Sequence, residues 1–147
     1  MSIIIDIADA VVEELNEGTF SAPFEAKRYY RPVFALKDMD TLHVSVVPKA
    51  QTIERADRRS NQHALQVDVA VQKRFDGAEG AKPPDAQADA LMALVEEIGD
   101  FFRLRRLTAC PAAVWVRTDN VPVYAPEHIE EFGQFTSVLT LTFRMVR

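Results

Sequence analysis

The last stretch of this chain does most to limit what it can fold into. Residues Phe135 to Val146 read FTSVLTLTFRMV, with no glycine or proline. β-Branched and aromatic side chains dominate, and these fit a pleated, half-buried surface. Phe135, Leu139, Leu141, Phe143 and Met145 fall on one face; Thr136, Thr140, Thr142 and Arg144 fall on the other, with Val138 and Val146 as apolar exceptions. This period of two marks a strand with one face in a core and one face wetter. At roughly 3.3 Å per residue it spans about 40 Å, enough for the spine of a sheet. At a sheet edge, such a strand would also offer unpaired backbone groups to a neighbouring subunit.

The preceding chain supplies elements to pair with it or cover it. Ser2 to Glu17 predicts an amphipathic helix, with Ile4, Ile7, Val11 and Leu15 at spacings of three and four, Ser2 as N-cap and Gly18 as stop. Phe24 to Tyr30 reads as a half-buried strand before Pro32, followed by the apolar run Val33 to Leu36 and a turn-like Lys37 to Asp40. Leu42 to Val47 is a strand with Leu42, Val44 and Val46 inward, ended by Pro48. Lys49 to Gln62 is charge-dense and predicts an exposed loop, of a length that is often functional. His63 to Phe75 alternates most cleanly: Leu65, Val67, Val69 and Val71 inward, Gln66, Asp68 and Gln72 outward with Ala70 among them. It is expected to pair with Leu42 to Val47 as a long hairpin.

After a linker at Asp76 to Pro84, Ala86 to Arg106 predicts the major helix, with Asp85 as its cap. Its apolar stripe is Leu91, Leu94, Val95, Ile98, Phe101 and Phe102. Arg103, Arg105 and Arg106 are placed in its last turn, where the helix dipole favours cations. Ala113 to Arg117 is a short strand, Thr118 to Glu127 a loop with a short extended piece at Val121 to Tyr124, and Glu127 to Phe132 a helical turn ended by Gly133. The whole predicts one α+β domain over residues 1–147, a largely antiparallel sheet with one long helix and an N-terminal helix packed on one face.

Charge and chemistry narrow the function. The chain carries 27% charged and 48% hydrophobic residues, an ordinary globular balance. Its net charge of -5 argues against general nucleic-acid binding through a basic surface. Cys110 is the single cysteine, which precludes an internal disulfide and fits a reducing compartment. Ile3 to Ile5 is followed at once by Asp6 and Asp9 and does not read as a signal peptide; no run approaches the ~20 apolar residues of a membrane span. The first helix is acidic, Glu25 to Arg74 is net basic, and Asp76 to Asp100 is strongly acidic. Such segregation suits a surface that meets copies of itself.

No catalytic signature emerges. His43, His63 and His128 lack ligand spacing to one another or to Cys110, so no metal site is expected. The five glycines form no phosphate loop, and there is no G-x-S-x-G elbow. Glu96-Glu97 and Glu130-Glu131 are adjacent on helices and do not share a face. Cys110, Trp115, Tyr29, Tyr30 and Tyr124 read as packing or interface residues. Asp68 is expected to be solvated or to make an ion pair between subunits. The expectation is therefore no enzyme, no cofactor and no metal. The candidate interface residues are Glu54, Arg55, Asp57, Arg58 and Arg59 in the charged loop, facing protein or a channel, and Thr136, Thr140, Thr142 and Arg144 on the last strand.

The ordered segments IADAVVEEL, TLHVSVVPK with HALQVDVAVQKRF, ADALMALVEEIGDFFRLRRL and VYAPEHIEEFGQFTSVLTLTFR resemble the small neck proteins of tailed bacteriophages and prophages. They are most similar to the tail-terminator (tail-completion) family of long-tailed phages. The similarity spans nearly the whole chain and lies in element order and strand texture. The resemblance implies a virion protein, assembled in the host cytoplasm, that forms a homohexameric ring. Such a ring caps the tail tube, ends its polymerisation and meets a head-closure or connector protein, while DNA passes through the lumen unread. It carries over no individual functional residue. Another head–tail connector component, an accessory binding module, and a small enzyme or ligand-binding domain whose site forms only in three dimensions are the alternatives.

Overall fold

The computed structural model describes residues 2–30, 41–77 and 80–147. Helix α1 spans Ile3–Glu17, strand β1 Ala26–Arg28, β2 His43–Arg55, β3 Asn61–Arg74, helix α2 Pro84–Phe102, strand β4 Val114–Asp119, helix α3 Pro126–Phe132 and strand β5 Gln134–Val146. The strands form one sheet in the order β1-β2-β3-β5-β4. β1 runs parallel to β2, and every other pairing is antiparallel. This is the expected α+β fold. The run Val33 to Leu36 and the turn Lys37 to Asp40 lie outside the described residues.

The inward rows meet in register: Val69 opposite Leu139, Val67 opposite Leu141, Leu65 opposite Phe143. Ile7, Val11 and Leu15 of α1 and Leu91, Leu94, Val95, Ile98 and Phe102 of α2 join the same core as these rows and Val44 and Val46. Each fully buried aliphatic or phenyl side chain of this kind contributes roughly 1.5–3 kcal/mol. Gly18 closes α1 at a crowded point, where a Cβ would sit 2.8 Å from the Phe20 ring. Phe20 in turn meets Phe101 edge-on at 5.1 Å, tying the end of α1 to the end of α2.

Four local readings are corrected. Lys49 to Gln62 is not a loop: β2 continues to Arg55, and only 56–60 turn before β3 begins. Pro48 does not end pairing, because a register shift between Pro48 and Ala50 leaves Lys49 as an extra residue and the ladder resumes to Arg55 opposite Asn61. The major helix stops at Phe102, and Leu104 takes a left-handed φ of 59°, so Arg103, Arg105 and Arg106 lie beyond the last turn. Val121 to Tyr124 forms no strand.

β5 is central rather than an edge. It pairs with β3 from Arg74–Gln134 to Gln62–Val146 and with β4 from Asp119–Thr140 to Val114–Arg144. Its backbone is therefore spent within its own subunit. The two borders of the sheet are β1 and β4. At β1, the Asn16 side chain takes the place of a strand: its Nδ2 donates to the Ala26 carbonyl at 3.1 Å, and its Oδ1 accepts the Ala26 N–H at 2.8 Å. β4 ends the sheet among the described residues, with Val114 52% and Val116 44% exposed.

Candidate functional site

The hairpin tip is held by one carboxylate. Asp57 accepts the backbone N–H groups of Arg59 at 2.7 Å and Ser60 at 2.9 Å, and Ala56 N–H bonds the Ser60 carbonyl across the turn. The amide of Arg59, then the hydroxyl and amide of Ser60, hold the Asp57 carboxyl below its ordinary pKa. Glu54, Arg55, Asp57, Arg58 and Arg59 are all exposed. The chain end adds to this group, since Asn61 and Arg147 exchange backbone hydrogen bonds at 2.6 and 2.8 Å. Arg144, opposite Ala64, is also exposed and lies on the same end of the sheet. The arginines Arg55, Arg58, Arg59, Arg144 and Arg147 outnumber the carboxylates Glu54 and Asp57, so these side chains make this end basic.

The threonine row does not join that group as a unit. Thr142 and Arg144 lie toward the hairpin, whereas Thr136 lies at the far end, opposite Gln72. The row is also drier than expected: Thr136, Thr140 and Thr142 are 8%, 9% and 7% exposed. Thr136 is met by His128 at 2.8 Å and by the Gln134 amide at 3.0 Å. Thr140 donates to Asp68 at 2.7 Å and receives Lys49 Nζ at 3.3 Å. Lys49 also lies 3.7 Å from Asp68, so this carboxylate has an ion-pair partner in its own chain. The residue freed by the Pro48 bulge thus reaches across β3 to β5. The Thr142 hydroxyl is buried with no hydrogen-bond partner among the described residues.

On the helix side, one buried carboxylate does structural work. Glu14 is 4% exposed, accepts the Thr108 N–H at 2.8 Å and receives Arg105 at 3.0 Å. Burial alone would raise its pKa, but the hydrogen bonds of Thr108 and Arg105 together hold it below the ordinary value. Arg105 also donates from Nε to the Phe101 carbonyl at 2.9 Å and lies 3.7 Å over the Phe101 ring. It therefore satisfies a helix-end carbonyl while tying α1 to the end of α2.

Sequence reading missed two surfaces. The first is the open β4 border, whose signal was apolar residues on both faces in AVWVR. The second is a cleft of about 550 Å³ between α2 and α3. Met92, Ile129, Tyr124 and Phe135 line its apolar part, and Asp85, Asp89 and Glu130 give it three carboxylates. Asp85, Asp89 and Met92 fall on one helical face at spacings of four and three, a signal hidden beside the stronger core stripe. Among the described residues, no group of three or more His, Cys, Asp or Glu side chains converges to hold a metal ion, and no helix is long and apolar enough to cross a membrane. No protein-family model matches the chain, and a search of curated proteins finds none that matches it.

Proposed function

We propose that this protein is a structural component of a bacteriophage neck, a tail-terminator-like subunit that assembles into a ring on the end of a tail tube. In this role it ends tube polymerisation, joins the tail to a head-closure or connector protein, and catalyses no reaction. The observation that carries the reading is the asymmetry of the sheet borders. β1 is closed by Asn16 of α1, whereas β4 has no outer neighbour among the described residues and displays Val114 and Val116 to solvent. A sheet edge with exposed apolar side chains is a template for further pairing, and natural proteins cover such edges. Leu104, 81% exposed beside this border, extends the apolar area. A border used by a different surface of the next copy is heterologous, and such contacts close into rings when the rotation permits.

Native mass spectrometry and negative-stain imaging across concentration test this reading. The expected result is a closed oligomer, six-fold if the resemblance extends to stoichiometry, that binds the end of a purified tail tube. Val114→Lys with Val116→Lys should abolish it while leaving thermal stability nearly unchanged, because both side chains face solvent. A chain that stays monomeric at every concentration and ignores tail tubes would remove the proposal.

A further inference from the structure

The α2–α3 cleft and the β2–β3 hairpin tip are complementary surfaces at opposite ends of one protomer. The cleft floor includes Phe135, at the start of β5 and opposite Lys73. The tip lies beyond the other end of the same pair, past Gln62 opposite Val146. Those positions are separated by roughly 35–40 Å at ~3.3 Å per residue. A protomer therefore cannot fill its own cleft with its own tip.

The chemistry of the two ends matches. Asp85, Asp89 and Glu130 line the cleft with Met92, Ile129 and Tyr124, and no described residue forms an ion pair with these carboxylates. The tip presents Arg55, Arg58 and Arg59. Ile53 shares a strand face with Arg55, lies opposite His63 and is 56% exposed. An exposed isoleucine with Arg55 next along its strand face, and Arg58 and Arg59 in the turn beyond, is the counterpart of an apolar cleft with a carboxylate rim. Glu54 and Asp57 leave the tip net positive, because Arg55, Arg58 and Arg59 outnumber them, and Glu54 lies on the strand face opposite Ile53.

We infer that the cleft between α2 and α3 is the receptor for the hairpin tip of a second copy of this chain, with Ile53 seated on Met92 and Ile129 and the tip arginines paired with Asp85, Asp89 and Glu130. The contact is heterologous and links copies end to end. It rests on the reading of the protein as a self-assembling subunit and assigns two surfaces to that assembly.

The test uses the full chain and sedimentation velocity over a concentration series. One variant reverses the tip (Arg55→Glu, Arg58→Glu, Arg59→Glu), and another reverses the cleft (Asp85→Lys, Asp89→Lys, Glu130→Lys). Each should weaken self-association by at least about tenfold. An equimolar mixture should restore it, because each mutated surface then meets its opposite and each native surface meets a native one. Ile53→Ser, which changes no charge, should weaken association with circular dichroism and melting temperature unchanged. If the wild-type chain assembles and neither reversal alters its mass, the hairpin–cleft contact is wrong and the ring reading stands. Loss in both variants without rescue on mixing also overturns the contact. A wild-type chain that never assembles overturns both.

Discussion

Both faces of β5 are dry in places, at Leu139, Leu141 and Phe143 on one and at Thr136, Thr140 and Thr142 on the other, yet they are kept dry by different means. On the helix side, Leu139, Leu141 and Phe143 are at most 3% exposed and belong to the core that α1 and α2 complete. On the other side, Thr136, Thr140 and Thr142 are 7–9% exposed without a place in that core. Hydrogen-bonding side chains meet two of them: His128 of α3 and Gln134 at Thr136, Asp68 and Lys49 at Thr140. The first face loses its water to packed apolar side chains of α1 and α2. The second meets hydrogen-bonding side chains at Thr136 and Thr140. Low exposure on a strand therefore does not by itself mean apolar packing.

Substitutions separate these two kinds of burial. The largest effect is expected on the helix side, where Phe143→Ala should cost about 3–5 kcal/mol in urea unfolding, because it removes a whole ring and leaves a cavity. A loss below 1 kcal/mol would mean that this face is not the packed one.

Next comes the pin that holds the helical layer together. Glu14→Gln should cost about 2 kcal/mol at pH 7, since it removes the charge that Arg105 and the Thr108 amide meet in a buried site. The same group predicts a pH dependence. The folded-state pKa of Glu14 is depressed below its ordinary value of 4.5. Its contribution is therefore complete above about pH 4.5 and is lost as the pH falls through the folded-state pKa. Chemical denaturation of wild type and Glu14→Gln should give stabilities that converge as the medium is acidified below that value. A gap that stays constant would detach the effect from ionisation.

The threonine face gives the smaller and more discriminating pair. Thr140→Val deletes the hydroxyl that Asp68 accepts and should cost about 1 kcal/mol. Thr142→Val is nearly isosteric and removes a buried hydroxyl with no partner among the described residues, so monomer stability should be unchanged or slightly raised. Equal losses at both positions would break the distinction between a cover built from specific hydrogen bonds and mere crowding.

Much of the fold was legible because two long segments alternate without interruption. His63 to Phe75 and Phe135 to Val146 each place most apolar residues on one face, with Ala70, Val138 and Val146 as exceptions, and the structure pairs them in register. The hairpin end was illegible for the converse reason. Beyond Pro48 the residues of β2 are exposed on both faces, so nothing requires alternation, and Ile53 stands among polar residues. A proline that ends most strands is here absorbed by a bulge. The helix end failed differently: Leu104 turns left-handed where Arg105 reaches Glu14, a contact across 91 residues. For the candidate site, Arg55, Arg58 and Arg59 were visible as a basic cluster. The cleft that complements them was not, because α2, α3 and β5 build it from residues far apart in the chain.

By itself, the sequence determined that α1 and α2 are helices, that β3 and β5 are strands, and which face each presents to the core, since these follow from backbone periods of two and 3.6 residues. It also determined where charge collects along the chain. Only the tertiary structure decided that β5 is central, that Asn16 closes β1 while β4 stays open, and that Glu14 is buried among the acidic residues of α1. These are matters of strand neighbour order and of contact between distant residues, and no local period encodes which strand will lie beside which.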